Sequence, residues 1–90
     1  MESIIYKYAL LPEEPTLVAL PAGAQVLSVG VRQLCDIAMW VKFAPQQRIK
    51  EVRKFVVVPT GHTFDEKILN FIGTVTIRGW VGHVFEVVPE

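Results

Sequence analysis

The chemistry that the sequence supports most directly is anion binding, at the segment Thr60-Gly61-His62-Thr63. A glycine just ahead of a helix leaves backbone N–H groups pointing outward, and the positive end of the helix dipole attracts a phosphate or carboxylate. The hydroxyl of Thr60 and the ring of His62 would add two more donors. The segment has no Walker-type lysine and no G-x-G-x-x-G pattern, so no nucleotide fingerprint accompanies it. The alternative is a plain tight turn whose Thr63 caps the helix and whose His62 points to solvent.

Four residues elsewhere could complete such a site: Trp40, Trp80, Arg78 and His83. An exposed tryptophan can stack on a nucleobase, and it can equally pack against a second sheet or a partner chain. Arg78 is either a phosphate ligand or a surface charge. His83 shares strand parity with apolar residues, so it is either a hydrogen-bonded core or interface residue or part of a pocket with His62.

Catalytic and metal chemistry find little support in the sequence. The sequence shows no recognisable Ser-His-Asp set, and its two histidines and single cysteine do not have the spacing of metal ligands. A reactive thiol needs a basic or helix-N-terminal setting, and Cys35 beside Asp36 has neither, which indicates a small core or turn residue. We therefore predict no catalytic residue, no metal, no cofactor and no enzymatic activity.

A helix near 64–72 is expected to position the anion site. Thr63 and Glu66 have the spacing of a capping box, and acidic side chains in the first turn suit the helix dipole. Gly73 is a natural helix end. The apolar residues fall at helical spacing: Ile68, Leu69, Phe71 and Ile72.

Alternating apolar residues between Pro and Gly turns predict seven β-strands. The predicted strands cover residues 3–10, 16–20, 25–33, 35–43, 49–58, 74–78 and 80–88. With the single helix, they indicate a mostly β (α+β) fold, an antiparallel curled sheet forming a sandwich or small barrel. Ninety residues predict one domain spanning 1–90.

The composition of the chain limits the kinds of partner that we expect. Half of the residues are hydrophobic and the mean hydropathy is +0.37, more apolar surface than so small an interior can hide. We expect an exposed apolar patch for a partner or, preferably, a homo-oligomer. Acids and bases balance at nine each, which argues against general nucleic-acid binding. The sequence shows no signal peptide and no apolar run of membrane length, so we expect a cytoplasmic protein.

The order of several short motifs resembles a family of small proteins of tailed bacteriophages. The motifs are IYKY at 5–8, LPAGA at 20–24, LSV at 27–29, Trp40, TGHxF at 60–64, IGT at 72–74 and HVFEV at 83–87. Pro59 and Thr63 depart from the family pattern, where a glycine and a proline are expected. The resemblance implies a phage accessory protein that acts by binding something of the host, including signalling nucleotides made by defence systems.

Two functional hypotheses follow. The first is a non-catalytic binding module, a homo-oligomer in the host cytoplasm that sequesters a small anionic nucleotide-like ligand. In it, Thr60 to Thr63 would hold phosphate, Trp40 or Trp80 would stack a base, and Arg78 would pair the charge. The second is a protein-interaction module that docks a host or phage protein through an apolar surface or a sheet edge.

Overall fold

The computed structural model describes residues 1–33 and 36–89, which form seven β-strands in two antiparallel sheets. The strands are β1 Ile4–Leu10, β2 Thr16–Pro21, β3 Gln25–Arg32, β4 Asp36–Phe43, β5 Lys50–Pro59, β6 Leu69–Ile77 and β7 Trp80–Val87. The three-stranded sheet has the order β1-β4-β3, and the four-stranded sheet has the order β2-β5-β7-β6. Buried residues of both sheets form a shared core. The predicted antiparallel β fold is thereby confirmed as two packed sheets, and it is not a closed barrel.

The core follows the two-residue period of the strands, because successive side chains point to opposite faces. In the three-stranded sheet, Ile37, Met39 and Val41 of β4 are fully buried. In the four-stranded sheet, Phe55 of β5 and Val84 of β7 point inward to meet them. Residues of the opposite parity form the outer face of each sheet.

The predicted helix near 64–72 is wrong: the described residues contain no helix. Residues from Leu69 onward belong to β6, which pairs along its length with β7. Asp65 instead closes a short turn, in which its carboxylate accepts from the amide of Lys67 at 3.0 Å. A nine-residue helix is marginal alone, whereas β6 gains a full ladder of backbone hydrogen bonds with β7. The predicted sixth strand at 74–78 therefore begins five residues earlier than expected.

Residues 60–68 form a crossover loop over the outer face of the four-stranded sheet. Strands β5 and β6 lie on either side of β7 and are both antiparallel to it, so they run in the same direction. The loop must therefore return across β7. Phe64 packs on Phe85 of β7 with ring centroids 4.8 Å apart, and Phe71 of β6 adds a second contact at 5.5 Å. This aromatic cluster fixes the loop and, with it, the position of His62.

The prediction that Cys35 is a core or turn residue lies outside the described residues. Within the described residues, no helix is long and apolar enough to span a membrane.

Candidate functional site

A cleft of about 690 Å³ opens at the end of the sandwich where β5 stops, β6 turns into β7, and the β1–β2 loop passes. Its volume lies in the range typical of small-ligand sites. Three of the residues singled out in the sequence line it together: His62, Arg78 and Trp80. The remaining lining residues are Pro12, Glu13, Val57, Pro59 and Ile77.

Trp80 forms the aromatic wall of the cleft because Gly82 makes room for it. Trp80 packs against the core from the inner face of β7. A Cβ atom at position 82 would lie 2.6 Å from Cη2 of Trp80 and 2.6 Å from Cγ1 of Val57. Only glycine leaves that space open. Gly82 is not among the predicted site residues, although a glycine inside a strand often marks such a close approach.

Arg78 reaches the cleft from a strained position. Arg78 and Gly79 form the two-residue turn that joins Ile77 to Trp80, with φ angles of 49° and 80°. Hairpin turns with two positive φ angles strongly prefer Asn-Gly or Asp-Gly, and a left-handed arginine is less stable by about 1 kcal/mol. A residue held in an unfavourable conformation suggests a functional role at that position.

His62 is presented by a tight turn, and its backbone is already engaged. The amide of His62 donates to the carbonyl of Pro59 at 3.1 Å, and the amide of Thr60 donates to the carbonyl of Val81 at 3.1 Å. Gly61, with a φ of 92°, supplies the positive angle that this turn requires. The predicted anion cradle at a helix N-terminus is therefore not formed, because the helix is absent and two of its amides are bonded. What remains at this segment is the side chain of His62.

Thr60 and His83 lie on the opposite face of the four-stranded sheet. Oγ1 of Thr60 is 2.7 Å from Nε2 of His83, and Oγ1 of Thr74 is 2.9 Å from Nδ1. In a neutral imidazole, one hydroxyl accepts from the ring N–H and the other donates to the bare nitrogen. His83 is thus a hydrogen-bonded histidine on the outer face, and the structure does not bring it together with His62.

Trp40 and Thr63 also lie away from the cleft. Trp40 is on the outer face of the three-stranded sheet, where Nζ of Lys7 lies 6.0 Å from its ring centroid. Thr63 is exposed in the crossover loop. Of the eight predicted site residues, three therefore line the cleft. His62 follows the end of β5, Arg78 lies in the β6–β7 turn, and Trp80 is the first residue of β7.

The lining of the cleft includes a basic residue, a histidine, an acidic residue and apolar residues. The guanidinium of Arg78 and the ring of His62 can donate hydrogen bonds to an anion. The carboxylate of Glu13 can accept from a hydroxyl or amine. Trp80 offers an aromatic surface. The lining residues include no Ser, Thr, Cys or Lys, the side chains that most often act as nucleophiles.

Arg53 is committed elsewhere, toward the other end of β5. Its Nε and Nη2 donate to the two carboxylate oxygens of Glu86 at 2.6 and 2.7 Å, and its Nη1 donates to the carbonyl of Ala24 at 2.7 Å. The hydrogen bonds to Glu86 raise the pKa of Arg53 above its ordinary value. This pair ties two strands of the four-stranded sheet to the β2–β3 loop.

The chain belongs to the family described as Domain of unknown function (DUF7352), whose model matches residues 1–90. No curated protein and no solved structure matches it.

Proposed function

We propose that the protein is a non-catalytic binding module whose cleft captures a small anionic, nucleotide-like ligand. The observation that carries this proposal is the convergence of Arg78, His62 and Trp80 on one cleft of about 690 Å³. A cation, an aromatic surface and an additional donor are the groups that phosphate and base recognition require.

The charges of the lining residues narrow the ligand further. Glu13 repels an anion placed next to it, so we place the negative group of the ligand next to Arg78 and His62. A sugar hydroxyl or exocyclic amine satisfies the carboxylate of Glu13 instead. The ligand therefore has an anionic end, a planar part that contacts Trp80, and a hydrogen-bond donor, as nucleotides do.

The strained conformation of Arg78 supports its role as the phosphate ligand. Asparagine or glycine at this position would make the same turn with less backbone strain. A requirement for a guanidinium at the cleft explains why arginine occupies this turn position despite the strain.

The cellular setting that we propose is the cytoplasm of a bacterial host, with the protein acting as a phage accessory factor that withdraws a defence-signalling nucleotide. The motif pattern from Ile5-Tyr6 to His83-Val84 supports that setting.

The test is a thermal-shift panel of cyclic nucleotides and ADP-ribose derivatives. A ligand at 100 times its dissociation constant adds about 2.7 kcal/mol to the unfolding free energy, which corresponds to a Tm rise of roughly 10–20 °C for a domain of this size. Arg78→Asn should abolish the rise, and Arg48→Gln, an exposed arginine outside the cleft lining, should preserve it. A panel without any Tm rise, or a rise that survives Arg78→Asn, contradicts the proposal.

A second candidate function is docking of a host or phage protein. The outer face of the four-stranded sheet exposes several large apolar side chains, which favours a macromolecular partner there. Specific capture of one stoichiometric partner other than a second copy of this chain, lost in a Val52→Glu variant, would support this function over the first.

A further inference from the structure

The outer face of the four-stranded sheet is unusually apolar. We call it the outer apolar face. Leu17 and Val52 on β2 and β5 are 67% and 69% exposed, and Phe71 on β6 is 60% exposed. The face also includes the apolar residues Val56, Val58, Phe64, Ile68, Val81 and Val87, and, toward the β6–β7 turn, the hydrogen-bonded polar group Thr60, Thr74 and His83. Several large apolar side chains exposed on one face of a small protein mark an interaction surface.

The two halves of the outer apolar face differ in how much of the chain packs on top of the sheet. Over β7 and β6, the crossover loop stands on the sheet with Phe64 seated on Phe85. Over β2 and β5, Leu17 and Val52 are exposed, and no aromatic contact comparable to that of Phe64 is found among the described residues. One half is therefore raised and the other is bare.

We propose that the occupant of this face is a second copy of the same chain, related by a two-fold axis that runs between β5 and β7. Such an axis places β2 and β5 of one copy against β6 and β7 of the other. The raised loop of each copy then covers the bare half of its partner. Two-fold interfaces must be self-complementary in this way.

The charges agree with this arrangement. Lys54 is paired with Leu17 in the register of β2 and β5, so it lies on the bare half. Asp65, Glu66 and Lys67 lie on the raised loop and are exposed, so two acidic groups and one basic group leave the loop net acidic. The two-fold axis brings the lysine of each copy toward the acidic loop of the other, so opposite charges face each other across the interface.

The available area is sufficient for a reversible dimer. Four strands spaced about 4.8 Å apart, with about eight residues each at about 3.3 Å per residue, give a footprint of roughly 500 Å² per copy. Two copies would bury roughly 1,000 Å², which is below the area of stable interfaces and in the range of weak, reversible ones. The cleft is lined by the inner-face residues Val57, Ile77 and Trp80 among others, and the crossover loop contributes only His62 to it.

Sedimentation equilibrium of the full chain over a concentration series tests the dimer. We expect the wild type to dimerise reversibly and Leu17→Asp to raise the dissociation constant at least tenfold. The matched control is Ile5→Asp, since Ile5 is 55% exposed but lies on the outer face of the other sheet. A wild type that is monomeric at several hundred micromolar, or equal effects of the two substitutions, overturns the proposal.

Cross-linking tests the orientation independently of any loss of folding. In a Cys35→Ser background, Leu17→Cys and Ile68→Cys chains are mixed and oxidised. The proposed axis predicts disulfide-linked heterodimers in the mixture and little linkage in either chain alone. Linkage of Leu17→Cys to itself, or no linkage in a mixture that sediments as a dimer, overturns the arrangement.

Discussion

The substitution Gly82→Ala should displace Trp80 and destabilise the fold. Gly82 is buried in β7. A Cβ there would lie 2.6 Å from Cη2 and 2.7 Å from Cζ3 of the Trp80 indole, and 2.6 Å from Cγ1 of Val57. The added carbon would contact both the Trp80 ring and the Val57 side chain, and both residues line the cleft. Neither side chain can therefore make room without a displacement of the cleft wall.

The magnitude follows from overpacking. Forcing one extra carbon into a packed site lowers the unfolding free energy by about 1–3 kcal/mol. For a domain of this size, each kcal/mol corresponds to a Tm change of about 4–8 °C. We therefore expect a Tm that is roughly 5–20 °C below that of the wild type.

The assay combines thermal unfolding with fluorescence of Trp80. The chain has two tryptophans, so a Trp40→Phe background leaves Trp80 as the sole indole reporter. We expect the emission of Trp80 to shift when Gly82→Ala is added. The matched control is Gly30→Ala, because a Cβ on Gly30 in β3 meets nothing within 4 Å.

An unchanged Tm together with an unchanged Trp80 spectrum in Gly82→Ala would refute the placement of the indole over Gly82. A Tm drop of the same size in Gly30→Ala would show that the effect comes from the strand backbone rather than from the cleft wall.

Three further predictions concern the turn, the ion pair and the crossover loop. Arg78→Asn should raise the unfolding free energy by about 1 kcal/mol, because asparagine tolerates the left-handed turn position better; urea unfolding measures it, and a loss of stability would contradict it. Arg53→Ala should lower the unfolding free energy by roughly 1.5–3 kcal/mol, because Glu86 loses a charged partner; an unchanged urea midpoint would count against this role. Phe64→Ala should lower it by roughly 1–2 kcal/mol through the lost contact with Phe85, as measured by urea unfolding at concentrations where the chain is monomeric.

The strand pattern was predictable where one face of a strand is clearly apolar. Ile37, Met39 and Val41 alternate with Ala38 and Trp40, and the structure buries the first set as expected. The inward face of β7 is harder to predict from the sequence, because the successive residues Val84 and Phe85 are both apolar and both buried. The two-residue period of a strand correctly places His83 and Phe85 on the same face of β7. Only the packing of the two sheets against each other decides that this face points outward.

The helix near 64–72 failed for a related reason. The apolar residues Ile68, Leu69, Phe71 and Ile72 satisfy helical spacing, and Thr63 with Glu66 completes a capping pattern. That local pattern carries no information on the long-range ladder with β7 or on the contact of Phe64 with Phe85. Tertiary pairing overrides local preference in such short segments.

The lining of the cleft was partly predictable. His62, Arg78 and Trp80 were identified by residue type, and the cleft contains all three. Glu13 was not identified, because the β1–β2 loop meets the cleft only through the sheet topology. Trp40 was included because sequence spacing cannot tell which sheet a tryptophan belongs to.

The most direct test of the binding cleft is a nitrogen–proton NMR titration that follows the two indole N–H signals. With a nucleotide that raises the Tm, the indole signal of Trp80 and the amides of His62 and Arg78 should shift together, while the indole signal of Trp40 stays in place. Shifts at Trp40 without shifts at Trp80 would contradict a ligand site at the end of the sandwich.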